Sequence, residues 1–479
     1  MLTHAWSHST VVLFALTLLA LEPTPGSNTS GRRPPPHDDW PTFGSNVARS
    51  SAPAASMGVT AANVALMQRQ QVAIDGTVDA SAIYLHGVAV NGSAHDVFFV
   101  TTTYGKTLAI DADRGTVLWE FTPPSYSTLA GSRQITTSTP VADPDRQSIY
   151  AAAPDGSIRR LSVADGSVRW TTSITRLPTR EKIASPLTIF RGQVIAVTGG
   201  YIGDAPPYQG HVAVLDAATG RLLHVWNTLC SDRAELIDPA SCKESDSAIW
   251  GRAGAVIDSA TGNIFIATGN ATWDGRTSWG DAVVELNADA TRMLGNYTPI
   301  NTAQLNDDDA DLGSTSPLLL DGGLVLQGGK DALIRILDWS TMSGTVPHKG
   351  GEASSVATPS NTRLFTAPAL WRSGGTEWIF AADNGATSAW TVRGTQLHPE
   401  WHNVHGGTSP VIVDGMAFIY DPHGGLRVYD AATGREVTTL DCGPGHWNSP
   451  IIVDGRIALP EGNANGHQTT GFLDIWRVQ

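Results

Sequence analysis

The feature that most constrains this chain is a strand opening that keeps returning. Pro-led openings recur as Thr139-Pro140-Val141, Ser185-Pro186-Leu187, Ser316-Pro317-Leu318, Ala367-Pro368-Ala369, Ser409-Pro410-Val411 and Ser449-Pro450-Ile451. Two of them extend into near copies, SPVIVDGMAFI from Ser409 and SPIIVDGRIAL from Ser449. Similar apolar openings without the Pro fall near Ala82 and Gly254, which makes eight units. Repetition at roughly 40–50 residues is the mark of a propeller or a solenoid. Proline at the first position of a strand removes no ladder bond that the sheet needs.

A second element recurs later in the units: LAIDADRGTVLW from Leu108, AVLDAATGRLLHVW from Ala213 and RVYDAATGREVTTL from Arg427, with weaker copies after Ser157 and Leu333. Each reads as strand, turn, strand. The Asp side chain can bind the turn backbone, and the Gly supplies the positive φ of a tight hairpin. A four-stranded antiparallel sheet that is apolar on both faces cannot bury them alone, so successive sheets must stack around an axis. The pattern therefore predicts an all-β fold, a β-propeller of eight four-stranded blades, with seven as the near alternative. The last unit shows strands near Ile451, Ile457 and Phe472, and the segment from Leu66 to Ile74 is available as its outer strand to close the ring.

Composition limits the partners. With 31 Lys+Arg against 45 Asp+Glu the formal charge is −14, which argues against nucleic acid and anionic lipid as partners. The apolar run from Val11 to Leu21 fits the core of a secretory signal, although only His4 and His8, and no Lys or Arg, precede it. We therefore expect a signal peptide at 1–21, a flexible Pro/Ser-rich leader at 22–38, a single propeller domain at 39–479, and a periplasmic or secreted location. An N-terminal membrane anchor is the alternative; no second apolar run is long enough to span a bilayer.

The unit AIDADRGTVLW, with Ala109, Asp111, Gly115 and Trp119, carries the pattern A-x-D-x-x-x-G-x-x-x-W. It resembles the docking motif of propellers with pyrroloquinoline quinone (PQQ) repeats. The opening Asp39-Trp40-Pro41-Thr42-Phe43-Gly44 is similar to the start of those proteins. From Ile249 to Asp338 the chain resembles the quinoprotein alcohol dehydrogenases, polyvinyl alcohol dehydrogenases in particular.

This resemblance implies PQQ and Ca²⁺ as cofactors, with an alcohol, polyol or polymer as substrate. It casts Trp250 as the aromatic floor under the quinone, Asn270 as a Ca²⁺ ligand through its amide oxygen, and Lys330 as the cation on the quinone oxygens. Asp309-Ala310-Asp311-Leu312-Gly313-Ser314 resembles the D-x-D-x-G-S stretch of the polyvinyl alcohol enzymes, which puts the base among Asp307, Asp308, Asp309 and Asp311. Each residue also has a plainer reading: an inter-blade core Trp, a turn Asn, a solvated hairpin Lys, a solvated acidic loop. No C-x-x-C-H haem site is present in the sequence, so electrons would leave to an external acceptor.

Several positions depart from the family pattern. Tyr201 stands where a Glu joins the Asn on Ca²⁺, and Asn301, after Thr298-Pro299-Ile300, stands where the catalytic Asp is expected. Thr137 takes the place of a cofactor-gripping Arg, with Arg133 nearby, and the adjacent-cysteine pair of many relatives is missing. Asp204, Asp307 or Asp308 are available to supply the absent carboxylates. Two functions therefore remain at this point, a PQQ-dependent dehydrogenase and a non-catalytic scaffold that binds a protein or polymer over a degenerate site.

Three Cys in an exported chain predict one bridge. Cys230 and Cys242 flank a short loop and are the expected disulfide, leaving Cys442 as a buried spare. His405, His423 and His446, each beside a Gly, are expected at the inner-strand loops of the last blades. No nucleophile-elbow, Walker A or zincin motif occurs.

Overall fold

The computed structural model describes residues 38–478; the expected signal segment and nearly all of the leader lie outside them. Eight four-stranded antiparallel sheets make up the fold, each with its strands in radial order, so the blade count is eight and not seven. The first blade runs Ile83–Val90, Ser93–Thr101, Thr107–Asp111 and Val117–Phe121. Among the described residues no helix is long and apolar enough to cross a membrane.

Burial explains why the strands read as they do. Middle strands, with a neighbouring blade on each face, are continuous apolar runs: Ser148–Ala153 and Met416–Tyr420 are buried at every position. Outer strands reach solvent and mix polar with apolar residues, as in Val168–Ser173. The core therefore lies between blades. Ile83, Leu85 and Phe99 of the first blade pack with Ala142, Ile149 and Leu161 of the second.

At three blade junctions an outer-strand Trp docks on the turn motif of the next blade. Asp111 accepts backbone N–H bonds from Asp113 and Arg114, and Gly115 has φ +66°. Trp119 donates its indole N–H to Val163 O of the second blade at 2.9 Å, over Gly166, where a Cβ would lie 2.6 Å from the ring. Trp170 does the same to Ala217 O over Gly220, and Trp401 to Ala431 O over Gly434.

Ring closure follows the same design with another residue. The segment Gln68–Ile74 pairs antiparallel with Gly471–Arg477 and completes the eighth blade, as the sequence predicts. Gln70 of that strand donates to Arg114 O, 2.8 Å away, beside Gly115, in the role that Trp119, Trp170 and Trp401 take over their glycines.

The Asp-Trp-Pro-Thr-Phe-Gly opening begins a segment that crosses the inner strands. Trp40 exchanges two backbone hydrogen bonds with Tyr84 of the first blade, and Pro41 O accepts from Ala142 of the second. Val47, Ser50, Ser51 and Met57 carbonyls accept from Ile257, Leu370, Ile412 and Gly455 of later blades. Arg49, 1% exposed, donates to Phe43 O and Leu187 O, and burial pushes its guanidinium down to about 9. One short segment thus ties blades distant in sequence at the axis. Cys230 and Cys242 form the expected disulfide, with Cα atoms 6.0 Å apart, and Cys442 is buried and free.

Candidate functional site

In an antiparallel blade the segment entering the first strand and the segment leaving the second lie at the same end. These two sets of loops build a cavity of about 470 Å³. Thr137, Lys182, Ala184, Phe365, His446 and Trp447 come from the entering segments, each two to four residues before the Pro of its unit. Tyr201, Asp204, Asn270, Lys330 and Asn465 come from the segments after the second strands. Trp250, Asp309, Asp311 and Arg363 complete the wall.

The aromatic floor extends beyond one ring. Trp250 lies 6.1 Å from Phe365, which lies 5.6 Å from Trp447. Lys330 Nζ stands 5.3 Å from the Trp250 ring centroid and contacts both Asp309 Oδ1 and Asp311 Oδ2 at 2.8 Å. Burial alone would lower the Lys330 pKa, but the Asp311 and Asp309 carboxylates outweigh it and hold the ammonium above its ordinary value.

Asp311 is the hinge of this wall. Its Oδ1 accepts the Asn270 backbone N–H at 2.9 Å, and its side chain is 5% exposed against 55% for Asp309. Gly313 explains how the two loops approach: a Cβ there would meet the Thr268 carbonyl carbon at 2.4 Å. Beneath them Asp281 accepts the Leu312 N–H at 3.0 Å, while its own N–H bonds Gly269 O. Burial pushes the Asp281 carboxyl up to about 8, and the nearby Asp311 charge adds to that rise. Asp281 thus ties both loops together from beneath the cavity wall.

The residues expected from sequence divide clearly. Trp250, Asn270, Lys330, Asp309 and Asp311 share one cavity. Asp307 and Asp308 do not line it; they are exposed at the end of the short helix Thr302–Asp307. Asn301 is exposed at the start of that helix, which carries the chain away before the loop returns Asp311 to the cavity. Between Thr298 and Ser314, Asp309 and Asp311 line the cavity and Asn301 does not.

Tyr201 does line the cavity, with its hydroxyl donated to Pro178 O at 2.9 Å, and Thr137 lines it with its hydroxyl donated to Ala184 O. Arg133 is exposed and off the cavity wall, as are His405 and His423; only His446 of the three histidines is on it. Asp204 is on it too. Burial raises its carboxyl above the ordinary value, against the hydrogen bond it accepts from Tyr208.

Sequence reasoning overlooked Lys182, Phe365 and Asp281. The first two share a signal, their place just ahead of the Pro of their units. Asp281 has none, because its partner Leu312 lies 31 residues away.

Fold and cavity together define an eight-bladed propeller with an aromatic-floored, cation-bearing pocket at its loop end. The family model PQQ_2, described as outer membrane protein assembly factor BamB, matches residues 64–279. The dehydrogenase subunit of alcohol dehydrogenase (quinone) from Gluconacetobacter polyoxogenes is 22% identical over 441 residues, covering 77% of this chain and 59% of that protein. Polyvinylalcohol dehydrogenase of Sphingopyxis sp. (strain 113P3) is 22% identical over 460 residues, covering 79% of this chain and 67% of that one. The solved quinohemoprotein alcohol dehydrogenase from Comamonas testosteroni superposes with a TM-score of 0.67 at 16% identity, over 94% of this chain and 81% of its own.

The chain is an eight-bladed β-propeller that resembles the PQQ_2 family over residues 64–279 and, at 22% identity, the quinone-dependent and polyvinyl alcohol dehydrogenases. It spans only 59% of the length of the alcohol dehydrogenase subunit it matches.

Proposed function

We propose that the chain is a PQQ-dependent dehydrogenase that oxidises an alcohol or polyol in this cavity. The observation that carries the proposal is the convergence on one wall of the Trp250 ring, the Lys330 ammonium above it, and Asp311 bonded to the Asn270 backbone. PQQ is a flat polycarboxylate quinone, and a floor of Trp250, Phe365 and Trp447 beside Lys182, Lys330 and Arg363 fits a group of that shape and charge. Bound there, it supplies the two-electron acceptor.

The fit for Ca²⁺ is thinner. Asn270 lines the cavity with a side-chain amide that has no hydrogen-bond partner among the described residues, and Asp311 adds carboxylate oxygens, which are the hard donors such an ion takes. The ion would share Asp311 with the Lys330 ammonium 2.8 Å away. No step is assigned to it.

The residues of the chain divide the remaining work. Trp250 and its aromatic neighbours exclude water and hold a planar group. Lys330 places positive charge where electron density builds on a quinone oxygen. Asp311 is the carboxylate that receives the hydroxyl proton of the carbinol, a task that the exposed amide of Asn301 cannot perform. The carbinol loses two electrons and two protons in becoming a carbonyl, and the electrons finally pass to a separate acceptor. We place this chemistry in the periplasm or outside the cell, on the strength of the apolar run from Val11 to Leu21.

Dye-linked oxidation of a panel of primary, secondary and polymeric alcohols, with PQQ and Ca²⁺ added, tests the proposal. PQQ-dependent dye reduction with at least one alcohol is the expected result. Absence of turnover with saturating PQQ bound favours the other reading, a scaffold that keeps the cofactor fold without the chemistry.

A further inference from the structure

Three cations line the cavity, Lys182, Lys330 and Arg363, and they are not equivalent. Lys330 is paired with Asp309 and Asp311, and Arg363 lies 3.8 Å from Asp309. Lys182 has no hydrogen bond or ion pair from its side chain among the described residues. Its backbone is held by a short ladder, Glu181–Lys182 against Gly199–Gly200, so the position is fixed while the ammonium is left for the cavity.

The nearest charged groups do not satisfy it. Asp79 and Arg252 are the ones close enough to act on Lys182 electrostatically. Asp79 is already committed: it accepts the backbone N–H of Trp447 at 2.7 Å and of Ala464 at 2.9 Å, and bonds His446 Nδ1 at 2.8 Å. Arg252, 3% exposed, adds a second positive charge beside it and donates only to Trp447 O, at 3.3 Å. Lys182 and Arg252 thus set two positive charges against the single Asp79 carboxylate, while Asp309 and Asp311 are taken up by Lys330. An unpaired cation in a half-buried cavity is costly unless a ligand supplies the anion.

We propose that Lys182 binds a carboxylate of the aromatic polycarboxylate held on the Trp250 floor, and so does the work of the cofactor-gripping arginine whose place Thr137 occupies. The inference rests on the cofactor reading above. Burial brings the Lys182 pKa down to about 8, so the free protein loses this charge as pH rises through that value and an anion binds less tightly above it. Of the other groups around the site, Lys330 is held above its ordinary value by Asp311, Tyr201 and Asp204 are raised by burial, burial brings Arg252 down to about 10, and Asp281, behind the wall, is brought up to about 8.

The test is equilibrium titration of the full chain with PQQ, followed by tryptophan quenching, for wild type, Lys182→Met and Lys182→Arg between pH 7 and pH 9. Lys182→Met is expected to weaken binding roughly 10–100-fold at pH 7, the loss of one charge-assisted hydrogen bond. Lys182→Arg should stay within a few-fold of wild type, and the weakening that wild type shows above about pH 8 should be clearly smaller in both variants. Saturable wild-type binding with unchanged affinity in Lys182→Met, or an equal pH slope in that variant, overturns the Lys182 assignment and leaves the cofactor reading standing; the slope then belongs to Asp281. No saturable binding in wild type overturns both.

Discussion

Replacing Asp311 with Asn is expected to lower dye-linked turnover by roughly 10²–10⁴-fold, the range attributed to a positioned general base. The substitution keeps the size of the side chain and an oxygen able to accept the Asn270 N–H bond, now 2.9 Å long. It removes the capacity to take a proton. Because Asp311 also pairs with Lys330, the variant must be shown to bind PQQ by a titration that still saturates. Asp309→Asn is the comparison: that carboxylate is 55% exposed, and its loss is expected to matter less. Wild-type turnover in Asp311→Asn would move the base elsewhere, with Asp204 the next carboxylate on the wall.

Ile74→Ala is expected to destabilise the whole propeller by about 2–5 kcal/mol, the usual cost of truncating a buried Ile. Ile74 lies on the closing strand, pairs with Gly471, and is 4% exposed in the largest core cluster together with Leu473 and Ile475 of the eighth blade. A strand merely resting on the surface would give up almost nothing. Chemical denaturation read at the midpoint distinguishes the two: a single cooperative transition moved to lower denaturant is expected, and an unmoved midpoint would mean that the ring does not depend on this strand.

The fold was legible because its rules are local and repeated. Six of the eight units announce their first strand with a Pro, and several end their third in an Asp-to-Gly turn; both features need only neighbouring residues to act. The closing strand was legible for a related reason, since the last unit lacks an outer strand and Leu66 to Ile74 can provide one. The crossing segment from Trp40 to Met57 was not, because its partners Tyr84, Ala142, Ile257, Leu370, Ile412 and Gly455 are scattered along the chain.

The site was partly legible. Resemblance brought Trp250, Asn270, Lys330 and Asp311 to the page, and all four line one cavity. Between Thr298 and Ser314 a short helix leaves Asn301, Asp307 and Asp308 exposed, and the chain returns to the cavity at Asp309 and Asp311. Lys182 escaped notice because the resemblance looks for an Arg in the preceding blade. A cation serving the same ligand can enter from any blade, since all eight present their entering segments to one end.

The measurement closest to the central claim is binding of PQQ to the purified protein, read as tryptophan quenching in wild type and in Trp250→Ala. The chain contains 15 Trp, so the difference between the two proteins, and not the total signal, reports on the cavity floor. The account predicts saturable quenching in wild type that is lost or severely weakened in Trp250→Ala. Quenching that never saturates at tens of micromolar PQQ, or that is the same in both proteins, would contradict it.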